Sequence, residues 1–414
     1  MLSTKNQIQK QLVKIKKANS RSIEKKIEKL EKLSEKHIAL DDALAVIGSL
    51  NYQYAKREYD FEDTQTDLLR CLRNINDPAL VDPLKHVYGE LSGEAKGEVI
   101  ILLSEIDSKD AVYSIFDLLS NDIKNKKTNS ICLHGWKNSF IQPEHVFPRL
   151  IDFLSTEDYL SEILMTTLLY MENDKIKGSI LISYVDLFIE IYDRYAQKIN
   201  SLDVDREVKN WFYGDEYLEI REDFAILVDL FGFIDDNRIA DLLRNSLGNK
   251  DPRIVLFSTI SLMRKNQQID KRYCEVIARD PEMRKWFFDY CQKNDCFSCF
   301  PKQYLSQEKL AESDMVNWLI FPTELGSAPD DIQLEATVTI DVDSEEAEYF
   351  LFKFKVDPPH WASEDGWMAG ISGPFIKSKY PTIEDCSGTF SAFEKWEEKS
   401  KDEHIQNIRE LVGL

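Results

Sequence analysis

The stretch Asp235–Lys265, DDNRIADLLRNSLGNKDPRIVLFSTISLMRK, constrains the chain more than any other, because it spells two short amphipathic helices around a tight turn. Ile239, Leu242, Leu243 and Leu247 recur at spacings of three and four, which places them on one helical face. Gly248 and Asn249 suit a left-handed C-terminal cap, and Asp251-Pro252 gives an N-cap followed by proline at the first helical position, where its missing N–H costs nothing. Ile254, Phe257, Ile260, Ser261 and Met263 carry the pattern into a second helix, which ends in Arg264 and Lys265 against the negative end of its dipole. Helices this short need neighbours to cover their apolar faces, so the pattern predicts stacked pairs.

Other parts of the chain open in a similar way. Asn76-Asp77-Pro78-Ala79-Leu80-Val81-Asp82-Pro83-Leu84 is followed by Lys109-Asp110-Ala111-Val112 and Gln142-Pro143-Glu144-His145-Val146, and the valines Val81, Val112 and Val146 fall 31 and 34 residues apart. The helix, Asp-Pro turn and helix resemble the HEAT repeat, the two-helix unit of α-solenoids. In that family the turn commonly reads Asp-Pro-x-Val-Arg; Asp251-Pro252-Arg253-Ile254-Val255 matches the Asp, Pro and aliphatic positions, with Val255 at the arginine position and Arg253 two residues earlier. The resemblance implies an irregular HEAT-like α-solenoid that presents a surface to a protein or peptide.

Reading in order, residues 1–39 form two basic helices, with Ile8, Leu12 and Ile15, then Ile23, Ile27, Leu30 and Leu33, at helical spacing and a break near Asn19-Ser20. The repeat array is expected over residues 40–304, with second helices at Gly93–Ile106, Asp122–His134 and Glu157–Glu172 and longer helices at Ile176–Ile199 and Glu216–Phe233. A small α+β domain follows over residues 305–414. There Gln333–Asp341 and Glu348–Val356 alternate apolar and polar residues with period two, the signature of strands with one side on a core and the other in water. Ser344-Glu345-Glu346 reads as their connection, Gly366–Pro374 as a third strand, and Phe390–Leu411 as a closing helix whose Phe393, Trp396, Ile405, Ile408 and Leu411 cover the sheet. The chain is therefore expected to be mainly α with a small C-terminal α+β domain.

Charge narrows the partner. The formal net charge is −21, yet residues 1–36 hold eleven Lys or Arg against four Glu, so the remainder is more acidic than the whole. Such a body repels phosphate backbones and opposes a nucleic-acid role. No apolar span of about 18 residues occurs, and the basic start is not followed by the apolar region of a signal peptide, so a cytoplasmic protein with no membrane partner is expected. Seven cysteines, an odd number spread through helical patterns, read as reduced thiols.

Catalytic signatures are lacking: no phosphate-binding Gly-rich loop ending in Lys-Ser/Thr, no dinucleotide fingerprint, no His-Glu-x-x-His. Gly370-Ile371-Ser372-Gly373-Pro374 approaches the nucleophile elbow G-x-S-x-G, but Pro374 stands where its last glycine is needed, so these glycines fit a bend or bulge. Cys291, Cys296 and Cys299, with Cys274 upstream, have partial zinc-ligand spacing; without a second Cys-x-x-Cys or a nearby histidine, buried free thiols are the plainer account and zinc the alternative. The segment Asp357–Met368 concentrates Trp361, Asp365 and Trp367 in an expected loop, either a binding hot spot or a pair of tryptophans packed beneath the terminal helix. Asp223 and Asp229 add acidity to the array, as a solvated face or as part of the partner-binding surface.

The resulting expectation is a non-catalytic binding or scaffold protein, without cofactor or metal, that offers acidic surface to a basic protein or peptide. Partner-binding candidates are Trp361, Asp365, Trp367, Asp223 and Asp229. An immunity-type inhibitor of a basic toxin is the narrower alternative, and a HEAT-like lyase or nucleic-acid-modifying enzyme the competing class.

Overall fold

Short polar side chains fix where the helices begin. Asp63, Ser92, Ser108, Asp236, Asp251, Asp270, Asp280 and Ser306 each accept a hydrogen bond from a backbone N–H two or three residues on, occupying a donor that the first turn would leave unpaired. Asp77, Asp251 and Asp280 are each followed by proline at the first helical position. Ends are set differently from the expectation at Gly248. The left-handed non-glycine residues after helices, among the described residues, are Asp174, Asn266 and Asp295, and the next amide N–H in each case donates back five residues, Lys175 to Tyr170, Gln267 to Leu262 and Cys296 to Cys291.

The computed structural model describes residues 4–35, 38–56, 63–125, 143–156, 159–202, 204–205, 209–321, 324–342, 345–355, 366–379 and 390–411. It divides into two units, Met1–Lys177 and Gly178–Leu414. The chain is mainly α, with one small antiparallel sheet near its C-terminus.

The first unit contains α1 (Thr4–Lys16), α2 (Ile23–Ser34), α3 (Leu40–Ile47), α4 (Thr64–Arg70), α5 (Val81–Tyr88), α6 (Gly93–Glu105), α7 (Lys109–Lys124), α8 (Pro143–Asp152) and α9 (Leu160–Glu172). The two basic helices bury Ile8, Leu12, Ile15, Ile23, Ile27 and Leu30 and pack on α3 and α4. Helix α7 runs unbroken to Lys124, so Asp122 belongs to it, and the rest of the helix expected over Asp122–His134 lies outside the described residues. Buried charges are paired: Lys96 lies 3.3 Å from Asp122, which also accepts the Tyr88 hydroxyl at 2.8 Å. Arg73 grips Glu98 through two hydrogen bonds of 2.6 and 2.7 Å. Beside them, burial pushes the Glu105 carboxyl above its ordinary value, Arg73 opposing and Glu98 adding to the shift.

The second unit begins with α10 (Val185–Leu202), α11 (Lys209–Phe212), α12 (Asp215–Leu230), α13 (Asn237–Ser246), α14 (Pro252–Arg264), α15 (Lys271–Arg279), α16 (Pro281–Lys293) and α17 (Gln307–Ile320). Gly232 lets α14 approach closely, since a Cβ there would sit 3.0 Å from Ser261 Oγ and 3.1 Å from its Cα. The Ser261 hydroxyl then donates 2.8 Å to the Val228 carbonyl. The central feature is Arg221 of α12, only 1% exposed. Its Nη2 donates 2.8 Å to Glu282 Oε1, and its Nε lies 2.8 Å from Asp251 Oδ2 as an ion pair without hydrogen-bond alignment. Tyr217 donates to Asp251 at 2.9 Å and Tyr213 to Glu282 at 3.1 Å. Burial works against the Arg221 charge, but the two carboxylates more than offset it and hold the guanidinium protonated.

The sheet order is β1 (Asp331–Val342), β2 (Glu345–Lys355), β3 (Trp367–Ile376) and β4 (Phe390–Lys395), each strand antiparallel to the next, with α18 (Lys401–Leu411) closing the chain. Glu345 and Glu346, expected in the connection, pair with Val342 and Asp341. Phe390–Lys395 is a strand, not the start of a helix; α18 begins only after Ser400, whose N–H and hydroxyl bind Glu403 Oε2 at 2.6 and 2.8 Å in a capping box. The sheet is also not open to water on one whole side. Phe350, Phe352, Phe354 and Met368 pack on Ala311, Met315 and Leu319 of α17, while Val338, Ile340, Leu351 and Ile371 pack with Ile408 of α18. Gly373, at φ +141°, allows β3 to pass within contact of the Glu348 carbonyl, where a Cβ would approach to 2.8 Å.

Replacing Arg221 by Leu strands Asp251 and Glu282 in the interior, and urea unfolding of the variant is expected to show a loss of about 3–5 kcal/mol; a loss near zero would contradict the structural role. For Glu105 the sign runs the other way from most carboxylates. A folded-state pKa raised above 4.5 means that its contribution is favourable at acid pH and is lost as pH rises through the folded value. Glu105→Gln should therefore raise the melting temperature at pH 7 and flatten its dependence on pH above 4.5.

Candidate functional site

Of the sequence-derived candidates, Trp361 and Asp365 lie outside the described residues. Asp223 and Asp229 do not form an acidic face. Both are buried in α12, where Asp223 accepts the Tyr195 hydroxyl at 2.9 Å and Asp229 pairs with Arg264. Their partners come from α10 and α14, so these carboxylates join helices. Trp367 opens β3 half-buried, with the Lys353 ammonium 4.4 Å from its ring centroid. Ser372 of the near-elbow is fully buried and donates to Asp314 at 3.2 Å.

The four cysteines sit in one apolar cluster with Phe287, Phe288 and Phe300. Burial, with Cys299 second, pushes the Cys274 thiol up to about 11, and burial also raises Cys291 and Cys296. Thiols held protonated in this way pack as small apolar side chains. Among the described residues no group of three or more His, Cys, Asp or Glu is placed to hold a metal ion.

Two concave features stand out among the described residues. In the first unit, a groove of about 290 Å³ runs between α5 and α7, lined by Asp82, Lys85, Asp110, Tyr113, Asp117 and small neighbours. The helical periods place them there. Helix α5 buries Val81, Leu84 and Val87 and leaves Asp82 outside; α7 buries Ala111, Ser114 and Ile115 and leaves Asp110, Tyr113 and Asp117 on the adjoining stripe. One cation already uses this chemistry: the Arg149 guanidinium of α8 lies 4.4 Å from the Tyr113 ring centroid and 3.9 Å from Asp117.

In the second unit, α18 leans on β1 and β2, and the small Ala369 side chain on β3 leaves a cleft of about 340 Å³. Leu351, Ala369 and Ile371 form its apolar floor, and Glu394, Lys399, His404, Asn407 and Glu410 its polar sides. The pairings Leu351–Ile371 and Ala369–Glu394 put these residues side by side across three strands. Lys399 donates to both Glu394 oxygens at 2.7 and 2.8 Å, and Asn407 donates to the same carboxylate at 3.4 Å. His404 is 2% exposed, stacks on Trp396 with centroids 4.8 Å apart, and contacts the Trp396 carbonyl through Nε2 at 3.1 Å. Lys353 stands between Trp367 and Trp396, 5.5 Å from the latter, so Trp367 belongs to an aromatic row that leads to this cleft.

Sequence reasoning missed both features. The Asp-rich openings at 77 and 110 were the available signal for the groove, and the Ser400–Glu403 capping box was the signal that would have separated strand from helix beside the cleft. No protein-family model, curated protein or solved structure matches the chain.

Replacing Trp396 by Ala removes the ring beneath His404 and one side of the Lys353 sandwich. The expected cost is about 2 kcal/mol, read from the urea midpoint. Trp367→Ala, which leaves the His404 stack in place, should cost less; the reverse order would show that the row is not organised around Trp396.

Proposed function

We propose that the chain is a non-catalytic, HEAT-like repeat protein that holds a basic segment of another protein in the groove between α5 and α7. The groove's exposed Asp82, Asp110 and Asp117 outnumber the two cations at it, Lys85 and Arg149, and Tyr113 is 37% exposed. The observation that carries the reading is Arg149, whose guanidinium occupies the face of Tyr113 beside Asp117 as a partner's arginine or lysine would. The net charge of −21 steers basic partners toward the chain over distances longer than a contact.

The repeat reading is supported by hydrogen bonds between corresponding places in successive helix pairs. Tyr88 reaches Asp122 and Tyr217 reaches Asp251, each across 34 residues. That interval is the one a stacked two-helix unit requires. Among the described residues no helix is long and apolar enough to cross a membrane.

A fluorescein-labelled oligo-arginine peptide titrated into the full chain tests the proposal. Affinity should fall at least about tenfold between 50 and 500 mM salt, and again in the Asp110→Lys, Asp117→Lys double variant at low salt. Affinity unchanged by the charge reversal, with circular dichroism showing an intact fold, would falsify this assignment of the groove.

A further inference from the structure

The two N-terminal helices sort their side chains into separate stripes. Ile8, Leu12 and Ile15 of α1 and Ile23, Ile27 and Leu30 of α2 are buried, and the Gln11 amide donates 2.7 Å to the Lys26 carbonyl, which fastens one helix to the other. Two residues after each buried position stands an exposed lysine: Lys10, Lys14 and Lys17 follow the first set, and Lys25, Lys29 and Lys32 the second. Two residues are about 200° around a helix, so each row points away from the core. Within a row the spacings are four and three, which set like charges side by side and destabilise each helix. The acidic residues do not relieve this. Glu24, Glu28, Glu31 and Glu35 form a stripe of their own, and Glu28 and Lys32, in the order and spacing that usually pair, make no ion pair. Among the described residues none of the six lysines has an ion pair or hydrogen-bond partner for its ammonium group. Residues 1–36 hold eleven Lys or Arg against four Glu on a chain whose net charge is −21, so this hairpin is a basic island.

We propose that the two lysine rows dock an acidic segment of a partner protein, whose Asp and Glu side chains meet the six ammonium groups. Each row is about 10 Å long, close to the Debye length at physiological salt, so a short segment lying on the hairpin feels the local lysines and little of the acidic remainder. Duplex nucleic acid or a membrane surface extends much further and meets that remainder. The hairpin also lacks what those partners use. Residues 1–36 contain no aromatic side chain on which bases could stack, and the apolar stripes are spent on α3 and α4 instead of being open to acyl chains. This surface is separate from the groove between α5 and α7 and does not depend on it.

Fluorescence anisotropy of a labelled oligo-glutamate peptide titrated into the full chain tests the docking. The peptide should bind saturably at 50 mM salt, and its affinity should fall at least about tenfold by 500 mM. The triple variant Lys10→Glu, Lys14→Glu, Lys17→Glu should lose at least about tenfold in affinity. The control Lys271→Glu, Lys293→Glu, Lys302→Glu makes the same change in net charge at exposed positions of the second unit and should lose no more than about twofold. If circular dichroism shows that the reversal disturbs α1, Lys25→Gln, Lys29→Gln, Lys32→Gln takes its place, with an expected loss of at least about fivefold. No saturable binding, equal losses in the hairpin and control variants, or tighter binding of a short RNA duplex or of phosphatidylserine vesicles overturns the proposal. So does salt-reversible self-association of the chain alone that the hairpin variant abolishes, since the acidic surface would then be a second copy.

Discussion

A single buried guanidinium organises the helical part of the second unit. Arg221 comes from α12, yet its partners are the cap of α14 and a first-turn residue of α16, so three helices meet at one charge. Isolated, such a charge in the interior would be very unfavourable; it is tolerated because two carboxylates and two tyrosine hydroxyls complete its surroundings. Asp251 serves twice, since one oxygen caps the Arg253 N–H at 2.8 Å while the other receives Tyr217. The Asp-Pro turn that marks the sequence is therefore both a local helix start and a long-range fastening. The neighbouring Arg253 shows the cost of proximity: burial first, then Arg221, lowers its affinity for its proton, and it stacks against Trp286 at 4.9 Å.

What the sequence revealed follows from the range of the interactions involved. Helix starts were legible because a cap and its amide are two or three residues apart, and the strands β1 and β2 because alternation is local. The fourth strand was not, because Phe390, Phe393 and Trp396 fall at three-residue spacing and imitate a helical face. Acidic residues were the harder case. Asp223 and Asp229 look like any others in the sequence, and their burial depends on Tyr195 and Arg264, 28 and 35 residues away. The groove acids Asp110 and Asp117 are distinguished from them only by which stripe of α7 faces the core.

Acidity is thus used in two ways. The buried carboxylates Asp122, Asp223, Asp229, Asp251 and Glu282 are matched by Arg, Lys or Tyr and connect helices, whereas Asp82, Asp110 and Asp117 of the groove are exposed. Only the second kind contributes an attractive field outside the molecule. The aromatic residues divide similarly: Phe350, Phe352 and Phe354 fill one side of the sheet, while Trp367 and Trp396 hold a lysine between them on the other.

Helix α17 is embedded on more than one side. Its Ser313 and Asn317 bond to Pro281 and Glu282 of α16, while Ala311, Met315 and Leu319 underlie the strands. A seam drawn just ahead of it, at residues 304 and 305, would divide a shared interior instead of passing through a solvated tether. The strands are for that reason an outgrowth of the helical array rather than a detachable module. Any excised piece beginning at α17 would carry a raw apolar flank and invite self-association.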